Sequence, residues 1–158
     1  MRRFVVIVAA AVNLTLVDAI VKKISAALFS QGAVSVLDGF FNLAYVENRG
    51  CAWGMLQGQV WPLAAFGAVA LAALVWKRKE VFGTAGFAAG ASEALLYAGI
   101  LGNLLDRVFR GYVIDMFDFH WGVHHFPCFN LADAYITTSV AIMFALGIFS
   151  GDGKSKSK

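Results

Sequence analysis

The segment "GNLLDRVFRGYVIDMFDFHW", from Gly102 to Trp121, places five charged residues within twenty positions of an otherwise apolar chain. Its first half continues an apolar segment of helical length, whereas its second half has the β-branched and aromatic character of a strand. Charged side chains in a membrane are costly, so they usually pair with one another or line a site. The segment therefore predicts the point where a membrane helix ends and brings charged groups to a site.

Composition defines the broad class of the protein. The chain has 158 residues, of which 59% are hydrophobic and 15% are charged, and its mean hydropathy is +0.70. Soluble domains contain only about 45–50% apolar residues, so these values are typical of an integral membrane protein. The net charge of +3 comes from basic residues scattered at the ends of apolar segments. That distribution argues against a nucleic-acid partner.

The predicted fold class is a mainly α membrane protein with four transmembrane helices and a small extracytoplasmic β-rich platform. A helix needs about 20 apolar residues to cross a hydrocarbon core of about 30 Å. Segments of this kind predict spans at about residues 4–21, 56–76, 87–109 and 130–149. Residues 1–150 are expected to form a single domain, and residues 151–158 a disordered cytoplasmic tail.

The distribution of Lys and Arg predicts the orientation of these spans. One side carries Arg2, Arg3, Lys77, Arg78, Lys79, Lys154, Lys156 and Lys158, and the other carries Lys22, Lys23, Arg49, Arg107 and Arg110. The side with more basic residues is expected to be cytoplasmic, which places both termini there. The first segment also resembles a cleavable secretory signal, but its long apolar run and the three later spans favour an uncleaved span.

Two segments, residues 22–55 and 110–129, are predicted on the outer side. Both contain β-branched and aromatic residues bounded by glycines, which favours strands and turns at the membrane surface. On this topology four carboxyl groups approach one outer interface: Asp18, Asp106, Asp115 and Asp133.

Several of the polar residues also have structural interpretations. Asp106 and Arg107 are consistent with an interfacial ion pair. Asn130 stands where a helix N-cap is expected, and Asp133 suits the positive end of the helix dipole. Asp118 is interpreted as a solvated loop residue.

Five motifs in chain order carry a resemblance to a known family: "DAIVK" at 18–22, "NRGCAWG" at 48–54, "GILGNLLDR" at 99–107, "GYVIDMFDFH" at 111–120 and "FNLADA" at 129–134. With them, the sequence resembles the lipoprotein signal peptidases, also called signal peptidase II or prolipoprotein signal peptidases, along nearly its whole length. Any one motif is weak evidence, whereas five in this order are specific.

The resemblance implies a four-span, multi-pass aspartic endopeptidase of the bacterial inner membrane, with its active site at the outer face. Its implied catalytic pair is Asp115 and Asp133. Supporting or substrate-binding roles are implied for nine residues: Asp18, Lys22, Asn48, Gly50, Gly99, Gly102, Asn103, Arg107 and Asn130. The implied substrates are diacylglyceryl-modified prolipoproteins surrounded by membrane lipid, cleaved just before the lipidated cysteine. We expect a monomer with no cofactor, no metal and no nucleic-acid partner.

Two carboxyl groups suit the hydrolysis of a peptide bond. One ionised group can act as general base and one protonated group as general acid. Carboxyls a few Å apart tend to share one proton and to titrate as a coupled pair. Such a pair can activate a water molecule without a covalent enzyme intermediate.

The sequence departs from the family pattern at Ala19, Cys51 and Trp53, where Gln, Ala and Phe are usual. These departures fall at supporting or substrate-facing positions and leave the two implied aspartates intact. Cys51 and Cys128 also leave open a disulfide, or a cysteine nucleophile beside a histidine.

Two other functional interpretations remain open from the residues alone. His120, His124 and His125 could bind zinc, although Gly122 and Pro127 argue against a long helix that presents them on one face, which favours ordinary surface histidines. Intramembrane carboxylates also occur in transporters and proton relays, and a non-catalytic membrane scaffold is a further alternative. A transporter predicts carboxylates through the whole bilayer depth. Here the cytoplasmic half offers mainly Glu93, for which the sequence gives no catalytic role.

Overall fold

The computed structural model of the chain describes residues 1–51, 55–83 and 86–147. Within these ranges the elements follow in the order α1 (Arg2–Phe29), β1 (Val34–Leu37), β2 (Phe41–Asn48), α2 (Val60–Trp76), α3 (Arg78–Val81), α4 (Phe87–Arg110), β3 (Val113–Trp121), β4 (His124–His125) and α5 (Leu131–Ala145). The departure at Trp53, the end of the fourth predicted span and the predicted tail at 151–158 lie outside the described residues.

The helix limits differ from the predicted spans for physical reasons. α1 continues to Phe29, beyond the predicted end at residue 21, because the ammonium of Lys22 is buried and paired with Asp18. α2 begins only at Val60, since residues 55–58 form a turn in which Leu56 has a positive φ of 55°.

Two helices in the described part of the chain are long and apolar enough to cross a membrane. α1 has 28 residues with a mean hydropathy of 2.5, and α4 has 24 residues with a mean hydropathy of 1.2. α2 and α5 are apolar but contain only 17 and 15 residues. At a rise of 1.5 Å per residue they reach roughly 26 and 23 Å, less than a hydrocarbon core of about 30 Å. The four-span arrangement therefore stays a prediction.

The two segments predicted as a platform form one antiparallel sheet in the order β1-β2-β3-β4. β2 pairs with β3, with Val46 opposite Asp115. The prediction of a small β-rich unit beside the helices is thus confirmed. The interpretation of Asp118 as a solvated loop residue is wrong, because it lies in β3 and its carboxyl oxygens bind Asn42 and His125 on the two neighbouring strands.

α4 lies between the other long helices and packs against α1, α2 and α5. Two glycines on α4 permit its closest contacts. A Cβ atom at Gly99 would collide with the carbonyl oxygen of Ala132 and the side chain of Ile136, and a Cβ atom at Gly102 would lie 2.7 Å from Oδ2 of Asp18. The start of α5 can therefore approach α4 closely only because these positions carry no side chain.

We expect Gly99→Ala to destabilise the protein by about 1–3 kcal/mol, because the added methyl group meets backbone atoms of α5 that cannot rotate away. Thermal unfolding in detergent measures this loss. Gly67→Ala, in the interior of α2, is the matched control. Its added Cβ atom would lie 4.0 Å from the side chain of Ile100, an ordinary contact distance. Equal unfolding midpoints for Gly99→Ala and the wild-type protein would contradict the packing described here.

Candidate active site

Strand β3 holds Asp115 in a buried position at the junction of the sheet and the helices. Asp115 is 2% exposed, and residues 113–116 are all buried. The chain before α5 runs beside this strand, with Phe117 and Phe129 joined by backbone hydrogen bonds of 2.9 and 3.2 Å. This bridge brings Asn130 next to Asp115.

Asn130 contacts both predicted catalytic aspartates. Its Nδ2 atom donates a hydrogen bond of 2.6 Å to Oδ1 of Asp115. Its Oδ1 atom accepts from the backbone N–H of Asp133 at 3.0 Å, while its own backbone N–H donates to Oδ2 of Asp133 at 3.2 Å. The capping interpretation of Asn130 and Asp133 is therefore confirmed. The same cap also holds the two aspartates next to each other.

Two further amides complete the hydrogen bonding of the carboxyl groups. Nδ2 of Asn48 donates to Oδ2 of Asp115 at 2.9 Å, and Nδ2 of Asn103 donates to Oδ1 of Asp133 at 2.7 Å. The backbone N–H of Gly50 donates to Oδ1 of Asn48 at 2.9 Å and so fixes the orientation of that amide. All four carboxyl oxygens of the aspartate pair thus accept a hydrogen bond from a positioned donor.

The surroundings of Asp115 change its acidity. Burial and the negative charge of Asp133 raise the pKa of the Asp115 carboxyl to about 7, against the opposing effect of hydrogen bonds from Asn48 and Asn130. Burial disfavours the charged form, and a second carboxylate nearby disfavours it further. Asp115 is therefore protonated in a substantial fraction of molecules at neutral pH, as a general acid requires.

A buried ion-pair network lies beside the aspartate pair. The ammonium of Lys22 is fully buried and lies 2.7 Å from Oδ2 of Asp18 and 2.9 Å from Oδ2 of Asp106. It also donates to Oδ1 of Asn103 at 3.1 Å. Because Asn103 binds Asp133 through its amide nitrogen, Lys22 orients an amide that touches the pair.

The two carboxylates of this network also hold backbone atoms of the site. Oδ1 of Asp18 accepts from the backbone N–H of Ala132 at 3.0 Å, and Oδ2 of Asp106 accepts from that of Ile114 at 3.3 Å. Arg110 pairs with Asp106 as well. The network thereby fixes the first turn of α5 and the strand residue that precedes Asp115.

Arg107 has a different partner from the one predicted. The predicted ion pair between Asp106 and Arg107 is wrong, because Asp106 binds Lys22 and Arg110 instead. The half-buried guanidinium of Arg107 donates to the carbonyl oxygens of Asn103 and Gly50, at 3.2 and 3.0 Å. It therefore ties α4 to the segment that follows β2.

Two cavities meet at Asp115. One, of about 580 Å³, is bounded by α4, α5 and β3 and reaches Asp133 and the apolar side chain of Ile136. The other, of about 570 Å³, follows the sheet and reaches Glu47 and Asp118. Asp115 is thus accessible both from an apolar space between helices and from a more polar space along the sheet.

The two cysteines and Glu93 are the other groups for which the sequence left a role open. Cys51 and Cys128 are free thiols, so the disulfide interpretation is wrong. Burial and the charge of Asp115 raise the pKa of Cys128 to about 12, which leaves it protonated and a poor nucleophile at neutral pH. Glu93, which had no assigned role, accepts two hydrogen bonds from Arg78, at 2.6 and 3.0 Å.

Comparisons with known proteins agree with the motifs. Residues 10–149 match the family model described as signal peptidase (SPase) II. A lipoprotein signal peptidase of Fusobacterium nucleatum is 36% identical over 137 residues, which cover 86% of this chain and 82% of that protein. A lipoprotein signal peptidase of Burkholderia cenocepacia is 41% identical over 119 residues, which cover 73% of this chain and 70% of that protein.

A solved structure is similar in fold. The structure of a bacterial membrane enzyme, determined by the in meso method at 2.3 Å resolution, matches with a TM-score of 0.79 and 29% identity, and the match covers 97% of this chain and 94% of that one. The fold is therefore that of a membrane enzyme, and the family is one of peptidases, which favours a peptidase over the transporter and scaffold interpretations. The extent of the family match and the identity of its relatives show that the chain belongs to the signal peptidase II family.

Proposed function

We propose that this protein is an aspartic endopeptidase that removes the signal peptide from diacylglyceryl-modified prolipoproteins and cleaves just before the lipidated cysteine. Family membership supports a peptidase that processes prolipoproteins. The aspartic mechanism rests on one observation above all: the Asn130 cap contacts both Asp115 and Asp133. Two carboxyl groups held in this way match the requirement for a paired acid and base.

The proposed reaction uses the pair in opposite protonation states. Asp133 acts as general base and takes a proton from a water molecule, whose oxygen adds to the scissile carbonyl carbon. Asp115 acts as general acid and protonates the carbonyl oxygen. The C–N bond then breaks as Asp133 passes its proton to the leaving amine, while one hydroxyl of the tetrahedral intermediate returns its proton to Asp115 and forms the carbonyl of the product. The pair again holds one proton, on Asp115. The raised pKa of Asp115 supports this division. Hydrogen bonds to all four carboxyl oxygens hold both groups in fixed orientations.

The two cavities suit the two chemical parts of the proposed substrate. The cavity between α4 and α5 is the more apolar of the two, with Val113, Phe126, Phe129 and Ile136 in its lining, and an acyl chain or the apolar signal segment can lie there. The cavity along the sheet is more polar and suits the extended peptide that follows the lipidated cysteine. Asp115 borders both, so the scissile bond would lie where they meet.

The proposed location rests on the distribution of basic residues and on the similarity to a bacterial membrane enzyme. We place the chain in the bacterial inner membrane with four spans, both termini in the cytoplasm and the sheet at the outer face. α2 and α5 are short for a full crossing, but the sheet adjoins the outer end of the helix bundle and would extend the protein into the interfacial layer. We propose that the enzyme acts as a monomer on substrates within the lipid layer, without a cofactor and without a nucleic-acid partner.

A gel-shift assay tests this function directly. Purified protein in detergent is incubated with a diacylglyceryl-modified prolipoprotein, and in parallel with the same prolipoprotein lacking the lipid. We expect a shift to the mature size for the lipidated substrate only. Cleavage should persist in the presence of a chelator, because the aspartate pair itself needs no metal. Absence of cleavage by well-folded protein, or equal cleavage of both substrates, would discard the proposed specificity.

The acidity of Asp115 predicts the pH dependence of turnover. Its carboxyl has a pKa of about 7, so the protonated form predominates below that pH and is lost above it. Because the general acid must be protonated, kcat/KM is expected to fall by about tenfold per pH unit above roughly pH 8. Initial rates between pH 6 and 9.5, with circular dichroism to confirm folding, measure this decline. A flat profile across this range would rule out Asp115 as the acid.

A further inference from the structure

Three potential metal ligands lie together on the β3–β4 hairpin, at the opposite end of β3 from the helices. Asp118, His120 and His125 each offer one ligand atom, and these atoms all lie within 4.8 Å of one another. β3 and β4 pair His120 with His125, and Asp118 lies two residues before His120 on the same face of β3. Gly122 and Pro127 disfavour a long helix in this segment, but a hairpin brings these side chains together without one.

The distances are close to those of a metal site with three protein ligands. Nδ1 of His125 lies 2.7 Å from Oδ1 of Asp118, and the rings of His120 and His125 stack with their centroids 5.1 Å apart. Ligand atoms at about 2.0–2.2 Å from a tetrahedral zinc ion lie roughly 3.3 Å apart. Side-chain rotations that move the ligand atoms by about 1 Å would therefore place all three around one zinc ion. The fourth coordination position would remain for water.

Two features of the cluster favour a bound metal ion over a group of side chains that are merely hydrogen-bonded to one another. Nδ1 of His120 is excluded from solvent and has no hydrogen-bond partner among the described residues, and a buried unpaired nitrogen needs a ligand to offset its desolvation. Nδ2 of Asn42 donates to Oδ2 of Asp118 at 3.1 Å, which leaves Oδ1 directed to the cluster. Such an outer contact is typical of the groups that orient metal-binding carboxylates.

The chemistry of the three groups also suits zinc. Two imidazoles with one carboxylate form a donor set that zinc prefers.

We propose that Asp118, His120 and His125 bind one zinc ion, which fastens β4 to β3. The chain leaves β4 directly into residues 126–128, which line both cavities beside Asp115. Zinc would therefore fix the position of this wall relative to the rest of the sheet. The site is distinct from the aspartate pair, and its existence does not depend on the proposed peptidase function.

Calorimetric titration of the purified full-length protein with zinc tests the proposal. The protein carries no polyhistidine tag and is first treated with a chelator that is then removed. We expect binding of one zinc ion per chain, weakened at least about tenfold by Asp118→Asn and by His125→Gln. Titration of cobalt under the same conditions should give the visible absorption of a tetrahedral site, and the two variants should lose it.

His124→Gln is the matched control, because His124 belongs to the same hairpin but pairs with Trp121 and lies outside the cluster. A Cys51→Ser, Cys128→Ser variant should bind zinc as the wild-type protein does, which excludes the free thiols as ligands. The proposal is overturned by the absence of stoichiometric binding to folded wild-type protein, by undiminished binding to both ligand variants, or by equal weakening in His124→Gln.

Discussion

Asp115→Asn and Asp133→Asn are each expected to lower kcat on a diacylglyceryl-modified prolipoprotein by at least about 10³-fold. General acid and base catalysis contributes about 10²–10⁴-fold to a rate, and neither function survives when a carboxyl becomes an amide. The two residues act as one unit through Asn130, so the double variant should be scarcely slower than either single variant. Single-turnover rates with saturating enzyme measure the loss without interference from substrate binding.

The asparagine variants also need a folding control, because an amide nitrogen at position 115 would face donors on Asn48 and Asn130. Thermal unfolding and helical circular dichroism show whether the variants remain folded. Asp38→Asn is the matched substitution, since Asp38 lies in the exposed turn between β1 and β2 and accepts a hydrogen bond from the hydroxyl of Ser35. Its kcat should equal that of the wild-type protein. Turnover by folded Asp115→Asn or Asp133→Asn within tenfold of wild type would refute the assigned roles.

Lys22→Met is expected to destabilise the protein by about 3–5 kcal/mol, the cost of leaving a buried charge without its partner. The ammonium of Lys22 is fully buried and contacts both Asp18 and Asp106. Methionine fills a similar volume but offers no charge. Two carboxylates would then remain close together, and Arg110 is paired with just one of them, Asp106. The unfolding midpoint in detergent should fall steeply, and activity should fall with it because Asn103 loses a donor that orients it.

Lys23→Met separates this effect from a general loss of positive charge. Lys23 is the next residue of α1 and is exposed, so its substitution should change stability by less than about 0.5 kcal/mol. The double variant Lys22→Met, Asp18→Asn should recover part of the loss, because it removes one of the two uncompensated carboxylates. Similar unfolding midpoints for Lys22→Met and Lys23→Met would contradict the buried network.

Sequence patterns predicted which segments form helices and strands better than they predicted the residues at which these begin and end. Apolar segments of helical length indicated the four apolar helices α1, α2, α4 and α5, and β-branched and aromatic stretches indicated the sheet. They did not indicate that α1 continues past Lys22, because hydropathy treats a lysine as the end of a span. Its charge is neutralised by Asp18, four residues earlier on the same helix face, and by Asp106 on another helix. The spacing of four was visible in the sequence, whereas the second partner depends on tertiary packing.

In the candidate site, too, the sequence predicted contacts between residues close in the chain but not contacts between residues far apart in it. The cap at Asn130 and Asp133 is a local pattern, and the sequence predicted it. The contact of Asn130 with Asp115, and the pairing of Asp106 with Lys22 in place of Arg107, join residues far apart in the chain. Hydropathy and short motifs carry no information on such contacts. The sequence raised zinc binding by His120, His124 and His125 but disfavoured it and did not include Asp118. The register of β3 and β4, which brings His120 and His125 together, depends on a pairing that the motif does not show.

The intact mass of the products formed from a diacylglyceryl-modified prolipoprotein tests the central claim most directly. Wild-type protein, Asp115→Asn and Asp133→Asn are incubated with the same substrate and analysed by mass spectrometry. Our account predicts a wild-type product that begins at the lipidated cysteine, together with the released signal peptide, and only intact substrate with either variant. Cleavage at another bond, or the same products from a folded aspartate variant, would contradict it.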